Sequence, residues 1–291
     1  MTHFIDLPTA RIAYRSVGNG PDLVFVHGWP VDSETYRYLI PALSKQFTCH
    51  LFDLPGAGKT IWNEQTDISL SGHCETLQQV VDHLNLSAYA LFAQDSGGVF
   101  ARHLAAIRPD HVRGMVLCNT DIPKIYASSL KMLITSAKIP GYSKLMPALL
   151  RYKAFRLSGL FGQTMFYDLD KFEADFGDRY IQPLYENPAV FAGQMALIRN
   201  WEWSFLDGLT QIHRQISAPV QLIWGREDVI FPLKHAQKMV DELGGQTELH
   251  VINNSRLYVH EEQPAQVLQV AQPFLQSCFR DGAVAHDTPS N

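Results

Sequence analysis

One short stretch constrains the fold of this chain more than any other. Residues 89–98 read Tyr-Ala-Leu-Phe-Ala-Gln-Asp-Ser-Gly-Gly, an apolar strand that runs into a sharp turn and then into a helix. Backbone and helix crowd together in such a turn, so it needs small residues two positions before and two positions after its tip. With Asp95 at the tip, Ala93 and Gly97 occupy those positions. The spacing therefore predicts a carboxylate presented at the end of a strand.

Two other interpretations of this stretch stay open. With Ser96 at the tip the site would hold a serine nucleophile, but Gln94 would then lie two residues before the tip, where a long side chain has no room. Alternatively, Asp95 simply lies near a helix N-terminus, where a carboxylate meets free N–H groups and the helix dipole. We favour Asp95 as the nucleophile because other segments of the chain agree with that role.

Composition indicates an ordinary globular protein. The 291 residues are 46% hydrophobic and 18% charged, with a net charge of −5, so nothing suggests nucleic acid or an anionic membrane as a partner. The first residues lack the basic and apolar regions of a secretory signal, and no stretch has the apolar length of a membrane span. The four cysteines form no CxxC motif and indicate free thiols in a reducing compartment. We therefore expect a cytoplasmic protein.

Predicted strands and helices alternate along most of the chain. A hairpin is predicted at residues 4–7 and 11–16, and buried strands at 23–27, 47–53, 89–93, 114–118, 220–224 and 248–252. Helices are predicted at 33–44, 69–84 with Ser69 as N-cap, 99–107, 233–242 and 265–279. Buried strands joined by helices predict an α/β fold with a mostly parallel central sheet flanked by helices.

The inserted segment, residues 122–205, interrupts this alternation. It has helical patterning without clear strands, and it holds 15 of the 32 aromatic residues. An insertion after a central strand is well placed to cover the carboxyl ends of the sheet, where sites of α/β proteins lie. We expect most of its aromatics to pack a local core and a few to line an apolar pocket. The predicted domains are a core of residues 1–121 and 206–279, a helical cap of 122–205 and a disordered tail of 280–291.

Four motifs, in this order along the chain, resemble those of the α/β-hydrolase superfamily. Residues 27–30 (His-Gly-Trp-Pro) match its oxyanion loop, and 53–58 (Asp-Leu-Pro-Gly-Ala-Gly) match the turn after the next strand. Residues 93–98 resemble the elbow Gly-His-Asp-Trp-Gly-Gly of the members with an aspartate nucleophile, which are the epoxide hydrolases and haloalkane dehalogenases. Residues 224–228 (Trp-Gly-Arg-Glu-Asp) match the segment that carries the acid of the catalytic triad. The resemblance extends over nearly the whole chain.

This resemblance implies covalent chemistry at Asp95. A carboxylate attacks an epoxide carbon, or a carbon that bears halide, and a His–Asp pair then helps water to hydrolyse the alkyl ester. Asp228 is implied as the acid of that pair, and the backbone N–H groups of Trp29 and Ser96 as the oxyanion hole. The implied chemistry requires no metal and no cofactor, so we expect neither.

The leaving group of the substrate needs a proton donor or a hydrogen-bond donor in either kind of enzyme. In epoxide hydrolases, cap tyrosines protonate the alkoxide, and the candidates here are Tyr126, Tyr142, Tyr152, Tyr167, Tyr180 and Tyr185. Dehalogenases bind the halide, often through a tryptophan directly after the nucleophile, where this chain has Ser96. That difference favours the epoxide hydrolases, although Trp29, Trp201 or Trp203 could offer an indole N–H.

Leu257 stands where the resemblance places the histidine of the pair. The family motif commonly reads Gly-His-x-x-His-Glu-Glu-x-Pro, and residues 256–264 read Arg-Leu-Tyr-Val-His-Glu-Glu-Gln-Pro. Leucine cannot accept a proton, and losing the histidine of a comparable triad costs on the order of a millionfold in turnover. His260, three residues on, is a candidate substitute base if the loop is rebuilt. Alternatively, His260 is a surface histidine at the start of a helix.

Three functions therefore stay open. The first is an epoxide-hydrolase-like enzyme in which Asp95 becomes alkylated and Leu257 impairs or reroutes hydrolysis of the ester. The second is an isomerase, cyclase or lyase that uses Asp95, with a raised pKa, as an acid or base. The third is a catalytically silent protein that binds a small molecule. We expect an apolar small molecule as partner, neither nucleic acid nor a membrane, and a homodimer stays open as the assembly.

Overall fold

A nine-stranded sheet organises the computed structural model, which describes residues 2–280. Its strands are His3–Asp6 (β1), Ala10–Val17 (β2), Asp22–Val26 (β3), Thr48–Phe52 (β4), Ile61–Trp62 (β5), Tyr89–Gln94 (β6), Val112–Cys118 (β7), Val220–Gly225 (β8) and Thr247–Ile252 (β9). The order is β1-β2-β4-β3-β6-β7-β8-β9, with β5 beside β2. In that order, every neighbouring pair from β4 to β9 is parallel, whereas β2 pairs antiparallel with β1, β4 and β5. The predicted fold class and opening hairpin are confirmed.

Helices cover both faces of this sheet and fill the chain between β7 and β8. They are Ile40–Leu43 (α1), Leu70–His83 (α2), Ser96–Ile107 (α3), Ser128–Ala137 (α4), Tyr142–Leu150 (α5), Lys153–Arg156 (α6), Gly162–Met165 (α7), Leu169–Lys171 (α8), Gln182–Glu186 (α9), Pro188–Arg199 (α10), Trp203–Asp207 (α11), Leu209–Gln215 (α12), Leu233–Glu242 (α13), Val259–Glu262 (α14) and Pro264–Ser277 (α15). A 3₁₀ turn, Ser33–Tyr36, and a π-helical segment, Phe172–Ile181, complete the set. Among the described residues, no helix combines the length and the apolar character needed to cross a membrane.

Helix boundaries follow local sequence where caps are present. Ser69 caps α2 as predicted, because its side chain accepts a hydrogen bond from the N–H of Gly72 at 3.1 Å. The single helix predicted at residues 33–44 is wrong. A 3₁₀ turn begins where Asp32 accepts the N–H of Glu34 at 2.9 Å, and a separate short helix follows. Pro41 lies in the first turn of that second helix and has no N–H with which to continue the first.

Two hydrophobic clusters pack against the two faces of the central strands. Along β3, Leu23 and Phe25 belong to one cluster, and Val24 and Val26 to the other, as the alternation of a strand requires. The cluster that contains Val24 continues without a break into the inserted segment, where it includes Phe172. The apolar core of the inserted segment is therefore continuous with the core that α2 and α3 form on the sheet. The predicted tail begins at the last described residue, and residues 281–291 lie outside the described chain.

Candidate active site

Asp95 occupies the turn between β6 and α3 in a conformation that side chains rarely adopt. Its φ is +52° and its ψ is −135°, so neighbouring groups must hold it there. Its N–H donates to the carbonyl of Asn119 at 2.9 Å, and the hydroxyl of Thr120 donates to its carbonyl at 2.7 Å. At Gly97 a Cβ would lie only 2.2 Å from the carbonyl oxygen of Val26. The predicted need for a small residue two positions after the tip thus has a direct steric cause.

The carboxylate of Asp95 is anchored through one oxygen. The backbone N–H of Trp29 donates to Oδ2 at 2.8 Å, and the hydroxyl of Ser96 lies 3.5 Å from the same atom. Both contacts involve Oδ2, and neither engages Oδ1. The oxyanion loop can approach this closely because residue 28 is glycine, where a Cβ would lie 2.6 Å from Oδ2. One oxygen is therefore positioned by the loop and the other is available to a substrate.

Burial raises the pKa of Asp95 to about 6, although hydrogen bonds from the backbone of Trp29 and from Ser96 lower it. One side of the residue faces a cavity, so it is only half-buried. At neutral pH the carboxyl group is mostly ionised, which is the state that a nucleophile or a base needs.

Two hydrogen-bonded side chains hold the oxyanion loop in place. The N–H of Leu54 donates to Nε2 of His27 at 2.9 Å, so the proton of that imidazole is on Nδ1, which donates to the carbonyl of Gly28 at 2.9 Å. The hydroxyl of Tyr258, which is fully buried, donates to the carbonyl of Trp29. These contacts orient the N–H of Trp29 toward the carboxylate. Sequence analysis missed the role of Tyr258, for which the chain offered no local signal.

A cavity of about 510 Å³ lies between Asp95 and the inserted segment. Its volume is in the range of small-molecule sites. The side chains around it are mostly aliphatic or aromatic, and the ionisable ones are Asp95, Asp121 and Tyr142. Ser96 does not line this cavity, which argues against the interpretation with serine as nucleophile. Five aromatics of the inserted segment contribute to its wall, namely Tyr142, Phe155, Phe161, Phe191 and Trp201.

Asp121 is a second carboxyl group on the cavity wall, and sequence analysis missed it. Only 2% of its surface is exposed, and its Oδ2 has no hydrogen-bond partner among the described residues. Burial, followed by the charge of Asp95, raises the pKa of Asp121 to about 8, so the group is mostly protonated at neutral pH. A signal was present, because Asp121 lies three residues after β7, at the carboxyl edge of the sheet.

Buried Arg102 fastens the loop that carries Asp121 to α3. Its guanidinium donates to the carbonyl of Gly98 at 2.8 Å, to the hydroxyl of Thr120 at 3.1 Å and to the carbonyl of Asp121 at 2.8 Å. A further N–H donates to Nε2 of His213 at 2.8 Å, and burial together with this cation lowers the pKa of that imidazole to about 2. His213 is therefore neutral. Arg102 thus supplies a buried positive charge near Asp121 and does not line the cavity.

Asp228 is buried behind the cavity wall and has all of its hydrogen bonds satisfied. Its Oδ1 accepts the N–H groups of Ile230 at 2.7 Å and Phe231 at 3.0 Å, and its Oδ2 accepts the amide of Asn119 at 2.6 Å. Burial raises the pKa of Asp228 to about 7 despite these donors. Asp228 is not part of the cavity lining. Asp228 thus lies in the loop after β8, and no histidine of the described residues is hydrogen-bonded to it.

Leu257 lines the cavity, and His260 does not. The imidazole of His260 is fully buried. Its Nε2 lies 2.8 Å from the hydroxyl oxygen of Thr35, and its ring centroid lies 5.3 Å from that of Tyr36. Burial lowers its pKa to about 3. The prediction of His260 as a substitute base is corrected, and so is its interpretation as a surface histidine. His260 is the second residue of a short helix, α14, which packs against the 3₁₀ turn that contains Thr35.

One of the six candidate tyrosines reaches the cavity. The hydroxyl of Tyr142 is buried and has no partner among the described residues, and burial raises its pKa to about 12. The prediction is corrected for the other five, which lie away from the cavity: Tyr126 bonded to Asp207, Tyr152 and Tyr167 exposed, Tyr180 buried beside Arg37, and Tyr185 beside Arg151 and Arg156. Sequence could not separate them, because helix orientation decides which side chain faces inward.

The candidate tryptophans also differ in what their indoles contact. The indole of Trp29 donates to the carbonyl of Gln194 at 2.8 Å and is therefore engaged. Trp201 lines the cavity, and its Nε1 has no partner among the described residues. Trp203 does not contribute to the cavity wall. Within residues 2–280, no cluster of three or more His, Cys, Asp or Glu residues is arranged to hold a metal ion.

The parallel sheet, the strained turn at Asp95 and the covered cavity beside it are features of the α/β-hydrolase fold. Residues 21–264 match the sequence model of the alpha/beta hydrolase fold family, and the chain belongs to that family. Haloalkane dehalogenase 2 of Mycobacterium tuberculosis is 27% identical over 274 residues, which cover 91% of this chain and 92% of the relative.

The chain is also similar to an esterase in sequence and to a solved structure in fold. A pimeloyl-acyl-carrier-protein methyl ester esterase of Nitrosomonas europaea is 27% identical over 242 residues, covering 80% of this chain and 88% of the esterase. The crystal structure of haloalkane dehalogenase DbeA from Bradyrhizobium elkani superposes with a TM-score of 0.79 at 20% identity, covering 96% of this chain and 98% of that protein. The structural likeness concerns the fold, and the chemistry has to be argued from the site.

Proposed function

We propose that this protein is an epoxide-hydrolase-like enzyme in which Asp95 attacks an apolar epoxide, or a haloalkane, to form an alkyl ester. The observation that carries the proposal is the carboxylate itself. Its Oδ2 accepts the N–H of Trp29 at 2.8 Å, and its Oδ1 is left for attack on a molecule in the cavity. After alkylation the same N–H would stabilise the oxyanion that forms when water attacks the ester.

Proton donors on the cavity wall favour an epoxide over a haloalkane. An opening epoxide needs a proton for its alkoxide, and the cavity wall contains Asp121, which is mostly protonated at neutral pH, and the unpartnered hydroxyl of Tyr142. A departing halide would remain an anion among carboxyl groups. The indole of Trp29 is occupied by Gln194, so that halide would find only Trp201 as an unpartnered N–H donor among the described residues of the wall.

The lining of the cavity supports an apolar substrate. Four aliphatic side chains of the inserted segment line the cavity and are also largely exposed, namely Met132, Ile139, Leu145 and Leu160. They form an apolar entrance, and no lysine, arginine or histidine lines the cavity among the described residues. An anionic substrate would meet two carboxyl groups without a cation. In this proposal the inserted segment acts as a cap over Asp95.

Leu257 determines the fate of the alkyl ester. It lies on the cavity wall, after β9, where the resemblance places the base of the triad. In this proposal Asp228 would be the acid, but no imidazole of the described residues is hydrogen-bonded to it. Hydrolysis of the alkyl ester is therefore impaired, or it is rerouted through another group.

The experiment is intact-protein mass spectrometry after incubation with a panel of aryl and alkyl epoxides and haloalkanes. We expect an adduct on Asp95, or turnover, and loss of both in Asp95→Asn. Ser96→Ala is the matched control, because it removes the neighbouring hydroxyl but keeps the backbone N–H, and it should alkylate as the wild type does. An adduct that survives in Asp95→Asn, or that disappears in Ser96→Ala, would contradict the proposed nucleophile.

A second candidate function is supported by the absence of histidine from the described cavity wall. Two carboxyl groups with raised pKa values, Asp95 and Asp121, can move a proton from one atom of a substrate to another. Such an isomerase, cyclase or lyase would need Asp95 and would leave water out of the product. Turnover in ¹⁸O-labelled water separates the two functions, because only the hydrolase incorporates the label.

A further inference from the structure

We propose that Asp121 is the acid and base of both half-reactions, donating a proton when the epoxide opens and accepting one when water attacks the ester. The inference rests on the function proposed above and names the residue that replaces two missing parts, the cap tyrosines and the histidine at position 257. Its role would match that of the acid/base carboxyl group in retaining glycosidases, where one carboxylate attacks the substrate and forms an ester while a neighbouring carboxyl group transfers the protons.

The geometry around Asp121 carries this proposal. Its carboxyl group is almost completely buried, and it lines the same cavity as Asp95 with Oδ2 unpartnered among the described residues. An unpartnered polar atom in a protein interior is costly and needs an explanation, and a proton on this carboxyl group supplies one, because a neutral carboxyl group costs far less to bury than a carboxylate. Thr120, the residue before it, donates to the carbonyl of Asp95 at 2.7 Å, so the two carboxyl-bearing segments are tied directly together.

Arg102 makes this arrangement rigid and sets its charge. It holds Thr120 and the carbonyl of Asp121 through two hydrogen bonds of 3.1 and 2.8 Å. Arg102 is thus a buried cation near Asp121, and one cation suits a single negative charge on the two carboxyl groups better than two. One proton on the two groups gives that charge, and Asp95, which has the lower pKa, is the one that ionises.

In the first half-reaction, an electron pair on Oδ1 of Asp95 forms a bond to an epoxide carbon. The ring C–O bond breaks, its electrons remain on the oxygen, and that oxygen takes the proton of Asp121. The products are a hydroxyalkyl ester on Asp95 and an ionised Asp121. The transfer is favourable because esterification removes the charge of Asp95, one of the causes that keep Asp121 protonated.

In the second half-reaction, water attacks Cγ of the Asp95 ester while Asp121 accepts a proton from it. The resulting oxyanion is stabilised by the N–H of Trp29. When the tetrahedral carbon collapses, the bond from Cγ to the alkyl oxygen breaks, and that oxygen takes the proton back from Asp121 to leave as a diol. Asp95 is released as a carboxyl group, so one proton remains in the pair, as at the start.

The test separates the two leaving groups. Styrene oxide needs a proton to open, whereas 1-bromohexane expels bromide without one. In Asp121→Asn, which keeps the shape of the side chain, we expect alkylation by styrene oxide to slow by about 10²-fold and alkylation by 1-bromohexane to change by less than about threefold. The ester from either probe should then persist, as followed by rapid quenching and intact-protein mass.

Three further variants complete the design. Adding Leu257→His to Asp121→Asn should restore ester hydrolysis but not epoxide opening, because the new base cannot serve as the missing acid. Tyr152→Phe, which removes the same hydroxyl from an exposed tyrosine that does not line the cavity, should leave both rates within a few-fold of wild type. Equal slowing of both probes in Asp121→Asn, or unchanged ester hydrolysis, would overturn the role of Asp121. No adduct and no product in any variant, the wild type included, would overturn the proposed function itself.

Discussion

Leu257 and Asp95 lie on the wall of the same cavity, so the position that should hold a base faces the group that would form the ester. Asp228 remains in place behind this wall, with Asn119 donating to it at 2.6 Å. In the proposed mechanism Asp228 would be the supporting acid, and the place of the base is occupied by leucine. This combination leads to predictions about ester lifetime, pH dependence and stability.

Leu257→His should shorten the lifetime of the ester on Asp95 by about tenfold or more, because an imidazole at this place can take a proton from water. Decay of the adduct after removal of excess styrene oxide, followed by intact-protein mass, measures the effect. Leu257→Asn is the control, since it is polar and of similar size but is no base. Equal acceleration in both variants would show that polarity alone matters.

Alkylation by styrene oxide should have a bell-shaped dependence on pH. The reaction needs ionised Asp95, whose pKa is raised to about 6, and protonated Asp121, whose pKa is raised to about 8. Burial is the main cause of both shifts. The rate should therefore rise through pH 6, fall through pH 8, and lose the upper limb in Asp121→Asn. With 1-bromohexane, which needs no proton, the rate should rise and then stay level, and an upper limb there would contradict the assignment.

Asp121→Asn should stabilise the protein more at high pH than at low pH. Folding raises the pKa of Asp121 from an ordinary 3.8 to about 8, so the folded state binds the proton more tightly than the unfolded one. The stability that the folded protein gains from this tighter proton binding is fully present below about pH 4 and is lost as the pH rises toward 8.

The amide variant cannot ionise and avoids that loss. Between pH 5 and 8 we expect its Tm to gain roughly 5 °C relative to wild type, as measured by calorimetry or circular dichroism. Glu64→Gln, at an exposed position, should show no such trend. A Tm difference that stays constant with pH would mean that Asp121 ionises freely in the folded protein.

Asn119→Ala should destabilise the fold by about 2–4 kcal/mol. The side chain donates to Oδ2 of Asp228 and accepts the N–H of Gly225 at 2.9 Å, so its loss leaves that buried carboxylate oxygen and a buried N–H without their partners. Chemical denaturation measures the change. The exposed Asn200→Ala serves as the control, and a loss at position 119 below about 0.5 kcal/mol would show that other groups replace the amide.

The sheet and the elbow could be predicted from sequence because both depend on short-range patterns. The apolar runs at β3, β6, β7 and β8 marked buried strands, and the cap at Ser69 marked the start of α2 within one residue. The small residue at position 97 follows from a steric contact with Val26. The strands and the helix cap are decided by neighbours along the chain or by the period of one element, whereas the contact that requires glycine at position 97 comes from β3, the strand next to β6.

The tertiary structure alone decided which polar groups reach the cavity. Sequence could not tell that His260 would be covered by Thr35, that Tyr142 rather than five other tyrosines would face inward, or that Asp121 would join Asp95 on one wall. These outcomes depend on how the inserted segment and the loops after β7 and β9 pack against a sheet far away in sequence. The orientation and burial of a side chain are set by such long-range packing, whereas the periodicity of an element depends on the local sequence.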